Sequence, residues 1–255
     1  MVALALLAMS LYLSEYYLGV ERRLIAAGDL PGGLEAAQTA GRMDPFDPEP
    51  LEDVSYILQQ RGQNEEAVGS LREAVDRDPN NYIIYLELAS LQFALDDLTA
   101  AEENYRKVLD LNPKAYAARS GLAEVLLKKG NLEEAKREYE KVEEAREISY
   151  PELYDLGRIY VRTGEPGEGY RAIKKAQREA SADIESLEGP LRTQRERFVA
   201  SMDLALADAL VVQDEYARAG KIIAESSSEQ APALLRLLET DPEAYREQVV
   251  NSDIH

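Results

Sequence analysis

Residues 82–115 read YIIYLELASLQFALDDLTAAEENYRKVLDLNPKA. Two apolar patterns at three- and four-residue spacing are separated by Asp96-Asp97 and closed by Asn112-Pro113. That spacing predicts two short amphipathic helices joined by a tight turn. Stretches 48–81, 116–149 and 150–183 align with it without a gap. Val54, Leu88, Leu122 and Leu156 form an apolar column, flanked by the small residues Ser55, Ala89, Ala123 and Gly157. A turn column follows (Gly62, Asp96, Gly130, Gly164), then a second small column of Ala67, Ala101, Ala135 and Gly169. Leu71, Tyr105, Tyr139 and Ile173, then Ala74, Val108, Val142 and Ala176, complete each row. Small side chains recur where two helices approach closely, because a bulky one would force them apart. Pro45, Pro79 and Pro113 are evenly spaced, one row apart, and follow Asp44, Asp78 and Asn112, marking the row ends. The fold class expected is all-α.

Period and columns together resemble the tetratricopeptide repeat, a helical hairpin of about 34 residues. Residues 150–183 carry its pattern as Leu153, Leu156-Gly157 and Tyr160, with Gly169 where the family has Ala; residues 82–115 carry Tyr85, Leu88-Ala89, Ala101, Tyr105 and Pro113. The resemblance implies a right-handed superhelical solenoid that binds proteins.

Outside 48–183 the match degrades. Residues 14–47 keep Tyr17, Gly28-Asp29, Ala37, Ala40 and Pro45 as a degenerate repeat, but Leu30-Pro31-Gly32-Gly33 is a poor helix former, so its second helix should start late. Beyond 183, Ile184 and Leu187 prolong the helical spacing to Gly189-Pro190, predicting an extended helix and break over 184–199. Leu206-Ala207, Leu210, Asp214, Tyr216, Ala219 and Ile223 restore the columns as a final repeat near 200–233, and Asp241-Pro242 predicts the start of a capping helix within 200–255.

Residues 1–20 form an apolar N-terminal helix: no charge occurs from Val2 to Leu13, and Glu15 is the one charge up to Val20. Twelve apolar residues fall short of the roughly 20 that span a bilayer. The expectation is a membrane-anchored chain with a soluble body; the alternative is a cytoplasmic protein whose first helix packs on the repeats. Arg22-Arg23 after the run favours a cytoplasmic body. The apolar helix followed by Ala26-Ala27-Gly28-Asp29-Leu30, Ala36-Ala37 and Met43-Asp44-Pro45-Phe46-Asp47-Pro48 resembles the repeat tail of bacterial O-antigen ligase or polymerase-type membrane proteins. This second resemblance covers about the first fifty residues and implies a tethered assembly or regulatory tail in cell-envelope glycan synthesis.

Composition excludes more than it names. There is no cysteine, which removes thiolate metal sites, disulfides and cysteine nucleophiles. Twenty-nine basic against 48 acidic residues give a net charge of −19, so a phosphate backbone would be repelled and nucleic acid is not an expected partner. His255 is the single histidine and ends the chain, which argues against histidine general-base catalysis and histidine metal sites. Gly220-Lys221 hints at a phosphate loop, but Glu215 occupies the upstream glycine position and Ile222 the Ser/Thr position. Acidic pairs such as Asp96-Asp97 and Glu133-Glu134 lack the alternation of a calcium loop and fall at helix starts. No catalytic constellation, metal or cofactor is expected. Of the fifteen tyrosines, Tyr105, Tyr139 and Tyr160 sit in packing columns, whereas Tyr56 and Tyr154 fall on the exposed face of a first helix.

In the resembled family the first helices line a concave groove. Here that groove would present Glu52, Tyr56, Leu86, Glu87, Phe93, Glu124, Leu127, Tyr154, Arg158 and Arg162, our candidate partner-binding residues. Positions that grip a terminal carboxylate in one subclass hold Glu52, Tyr56 and Glu87 here, which argues against that ligand. Acid at the first repeats and base at the fourth fit a peptide with an apolar centre, basic residues towards the N-terminal repeats and an acidic group at the other end.

Overall fold

The computed structural model describes residues 2–182 and 184–252; His255 lies outside them. Every element among the described residues is helical. Among these residues fourteen α-helices follow one another in hairpins: α1 (Val2–Ala26) with α2 (Leu30–Met43), α3 (Glu49–Gln60) with α4 (Asn64–Arg77), α5 (Tyr82–Ala94) with α6 (Leu98–Leu111), α7 (Tyr116–Lys128) with α8 (Leu132–Glu144) and α9 (Tyr150–Arg162) with α10 (Pro166–Ser181). A short 3-10 turn at Ile184–Ser186 leads into α11 (Gly189–Val212) with α12 (Tyr216–Glu225), then α13 (Ala231–Thr240) and α14 (Pro242–Asn251). The chain divides into two compact units, Met1–Gly121 and Leu122–His255.

Two local devices recur from row to row. Gly28, Gly62, Asp96, Gly130 and Gly164 all hold φ between 61° and 86°, the left-handed conformation that reverses the chain between the helices of a hairpin. Glycine adopts it without cost, and aspartate is among the few other residues that tolerate it. At the row ends, Asp44, Asp78 and Asn112 cap α2, α4 and α6, and each side-chain oxygen accepts the N–H two residues on, from Phe46, Asn80 and Lys114. The intervening proline cannot continue the helix, and the side chain closes the turn around it.

The first unit is built on Ala37, Ile57, Ala67, Leu71, Ala74 and Ile84, drawn from four successive helices. In the second unit Leu153, Ile173, Met202, Leu206 and Tyr245 are buried in one cluster from α9, α10, α11 and α14. The small columns are closed: Ser55, Ala89, Ala123, Ala67, Ala101 and Ala135 are each at most 1% exposed.

Two expectations about helix ends are corrected. The second helix of the first hairpin starts without delay at Leu30, because proline is tolerated in a first turn and Asp29 accepts the N–H of Gly32 at 3.0 Å. Gly33 packs so tightly that an added Cβ would stand 3.1 Å from Ile25 and 3.6 Å from Ile57. The long helix is α11, with 24 residues, whereas α10 stops at Ser181. Gly189-Pro190 opens α11 as its first turn instead of ending the helix before it.

Candidate functional site

In the first unit, the face that α3 and α5 turn away from their partner helices forms an open cleft of about 710 Å³. Its carboxylates are Glu49, Glu52, Asp53 and Glu87; its apolar lining is Leu86, Leu91, Ala94 and the ring of Tyr56, with Gln59 and Ser90 at the side. Helical periodicity puts these together: Glu49, Asp53 and Tyr56 fall on one stripe of α3, and Glu87, Leu91 and Ala94 on one stripe of α5. Tyr56 is 51% exposed although its neighbours Ser55 and Ile57 are buried.

The cleft is electrostatically strained. Burial, then the charges of Glu87, Asp53, Glu49 and Asp47, lift the Glu52 carboxyl to about 7. Burial also raises Asp53, aided by Glu49 and Asp47 and opposed by Arg22, and it raises Glu87, with Asp53 adding to the effect. Arg22 pairs with Glu49 at 2.5 Å on the rim, where both side chains are about half exposed.

Glu52, Tyr56, Leu86 and Glu87 are thus brought together in one cleft. Phe93 is half-buried and lies outside its lining. In the second unit the first-helix face is occupied by the chain itself. Tyr154, expected on an exposed face, is half-buried with its ring edge-on to Phe198 of α11 at 5.4 Å and the Arg158 guanidinium 5.3 Å from its centre. Arg158 pairs with Asp155 at 3.4 Å. Arg162 donates to the carbonyl and hydroxyl oxygens of Ser252, at 3.0 and 2.9 Å. Leu127 is 9% exposed and is a core residue, not an apolar anchor for a ligand. Glu124 is half-buried, its carboxyl raised by burial and then by Asp155 and Glu152. The long α11 and the terminal α14 explain this: they return over α9, and Tyr245 of α14 donates to Asp208 of α11 at 2.9 Å.

Glu49 and Asp53 are cleft residues that we did not single out from the sequence. The signal was present, because Asp53 shares its repeat position with Glu87 and Asp155, acids at the same place in later rows.

Two tetratricopeptide-repeat family models match the chain, over residues 55–116 and 93–147. Residues 55–147 carry tetratricopeptide repeats. Comparison with curated protein sequences gave no match. Among solved structures, the chain is similar to MamA at 22% identity, with 69% of this chain and 96% of that one covered and a TM-score of 0.60. A tetratricopeptide repeat protein from Parabacteroides merdae ATCC 43184 is similar at 19% identity, over 89% of this chain and 99% of the other, with a TM-score of 0.61. YrrB, described as a tetratricopeptide repeat protein with an unusual peptide-binding site, is similar at 18% identity over 63% and 82%, with a TM-score of 0.55. These likenesses show the fold, an all-helical repeat solenoid. The Ala101 and Tyr105 of the matched repeats, 0% and 4% exposed, are therefore scaffold, and the open α3–α5 face is what the repeats leave available.

Proposed function

We propose that this protein is an interaction scaffold that binds a protein or peptide segment along the α3–α5 face of its first unit. The observation that carries the reading is the cleft itself: apolar floor, acidic walls and an exposed tyrosine, on the helix face that neighbouring tetratricopeptide hairpins do not cover. An apolar floor beside charged and aromatic side chains suits recognition of a protein segment. The face of α9, by contrast, is filled by Phe198 and Ser252 and serves the fold. A partner recovered with the full chain tests the assignment: its affinity falls at least about tenfold with Leu86→Ser or Tyr56→Ala and stays unchanged with Arg162→Ala. The opposite pattern returns the working surface to α9.

A second reading concerns where the scaffold sits. Helix α1 is long and apolar enough to cross a membrane by length and composition, and its two halves behave differently. From Ser10 onwards it belongs to the first hairpin: the Ser10 hydroxyl donates to the Met43 carbonyl at 2.5 Å, Ser14, Leu18 and Glu21 are buried, and the Ser14 hydroxyl donates to the Ala40 carbonyl at 3.1 Å. Before that, Val2, Leu4, Leu6, Leu7 and Met9 are 53–75% exposed and point to all sides of the helix. A protein partner covers one stripe of a helix, whereas lipid covers it all round. Residues 2–9 therefore fit insertion into the apolar layer of a membrane, to a depth of about 12 Å. A place in glycan synthesis draws on the N-terminal resemblance alone, and none of the three similar structures is of an O-antigen ligase.

A further inference from the structure

We propose that the α3–α5 cleft is a receptor for an arginine or lysine side chain of the partner, held beside an apolar residue of the same segment. The inference rests on the reading that this cleft is the partner-binding surface, and it names what the partner must bring.

Four carboxylates, Glu49, Glu52, Asp53 and Glu87, line one cleft together with Leu86, Leu91 and Ala94. Behind them stands a fifth. Glu21 of α1 is 1% exposed, its Oε2 has no hydrogen-bond partner, and it stands close enough to Asp53 for the two charges to repel. The Oδ2 of Asp53 is likewise buried and without a partner. Buried carboxylate oxygens are costly when nothing donates to them. The equivalent acid in the fourth full repeat shows the satisfied alternative, for Asp155 has Arg158 beside it at 3.4 Å. In the first unit Arg22, whose charge acts on both Glu21 and Asp53, is engaged on the rim with Glu49.

A cation is what this arrangement lacks. A guanidinium or ammonium group entering between Glu52, Asp53 and Glu87 makes charge-assisted hydrogen bonds to carboxylates that otherwise repel one another. An anion would be repelled. A metal ion is a poor fit, since no group of three ligating side chains among the described residues could hold one. The apolar floor asks for a neighbouring Leu- or Met-type residue, which makes the occupant a peptide segment rather than a free cation.

Proton linkage follows from the same geometry. Facing Glu52 are Glu87 from α5, Asp53 and Glu49 from α3, and Asp47 from the preceding turn; Arg22 from α1 acts on Asp53. With its pKa near 7, Glu52 is largely protonated at pH 6. Binding a cation requires the carboxylate, so the proton passes to the buffer and affinity rises with pH.

The test uses the full chain and a random twelve-residue peptide display library selected at pH 8, followed by calorimetry on the recovered peptides. The expected peptides carry Arg or Lys next to an apolar residue, bind about tenfold more weakly at pH 6 than at pH 8, and release a proton on binding near pH 7. A Glu52→Gln/Glu87→Gln variant with unchanged thermal unfolding binds them at least about tenfold more weakly and loses the pH dependence. Neutral or acidic peptides that bind both proteins equally, yet are lost with Leu86→Ser, overturn the cation receptor and leave the cleft as the binding face. Peptides indifferent to Leu86→Ser, or no binder at all, overturn both.

Discussion

Gly157 and Gly169 face one another across the α9–α10 hairpin, so closely that a Cβ built on Gly169 would stand 2.7 Å from the Gly157 carbonyl oxygen and 2.6 Å from Val161. The other full hairpins place Ala67, Ala101 and Ala135 at the second of these positions, opposite Ser55, Ala89 and Ala123. This hairpin is therefore closed through backbone contact, and the glycine pair is required by space rather than by dihedral angle. Gly169→Ala is expected to destabilise the second unit by about 1–3 kcal/mol through overpacking, read from urea unfolding; a neutral result would mean that α9 and α10 can separate at little cost.

The turn column makes an opposite pair of predictions. Asp96 holds φ of 61°, and Asp214 of the final hairpin φ of 60°, where the hairpin turns at Gly28, Gly62, Gly130 and Gly164 have glycine. Asp96→Gly should stabilise or leave unchanged, by up to about 1 kcal/mol, and Gly130→Ala should destabilise by about 1–2 kcal/mol. Equal melting temperatures for the two variants would show that the left-handed turn is not a constraint.

How much of this was legible in the sequence depends on which force fixed each feature. Hairpin turns and row ends were readable because glycine, proline and Asx residues act locally, and the register of the rows repeated them. Helix starts at Leu30 and Gly189 were misread because proline and glycine were taken as breakers where they occupy first turns. The cleft was half legible: Glu52, Tyr56, Leu86 and Glu87 could be placed from the repeat, while Asp53 was overlooked in the same column. Tyr154 and Arg162 could not be judged, since what covers them, Phe198 and Ser252, belongs to later helices and chain ends outside their own repeat.

Asp208 gives the second unit a pH signature. Burial lifts its carboxyl to about 6, although the Tyr245 hydrogen bond and then Arg162 and Arg158 oppose the change. The folded carboxyl keeps its proton up to about pH 6, whereas the unfolded one releases it near 4. The fold therefore loses stability as pH rises from 4 through 6. Asp208→Asn keeps an acceptor for Tyr245 and should melt higher than the parent at pH 7.5, with the difference gone by pH 4.5. A variant that melts lower at both values contradicts this and makes the charged form of Asp208 structural.

Membrane insertion is checked by flotation of the full chain with vesicles of neutral phospholipid. Leu6→Glu/Met9→Glu should leave the melting transition of the repeats unchanged and move the protein from the vesicle fraction to the soluble one. Retention of the variant on vesicles would assign any membrane contact to another surface.

The central claim is that partners engage the α3–α5 face, and site-specific photo-crosslinking in cells tests it most directly. A benzophenone amino acid placed at Tyr56, exposed in the cleft, should give a discrete crosslinked partner, and the same group at Arg72 on α4 should give none. A partner trapped from Arg72 and not from Tyr56 would contradict the account, because the second helices would then carry the interaction.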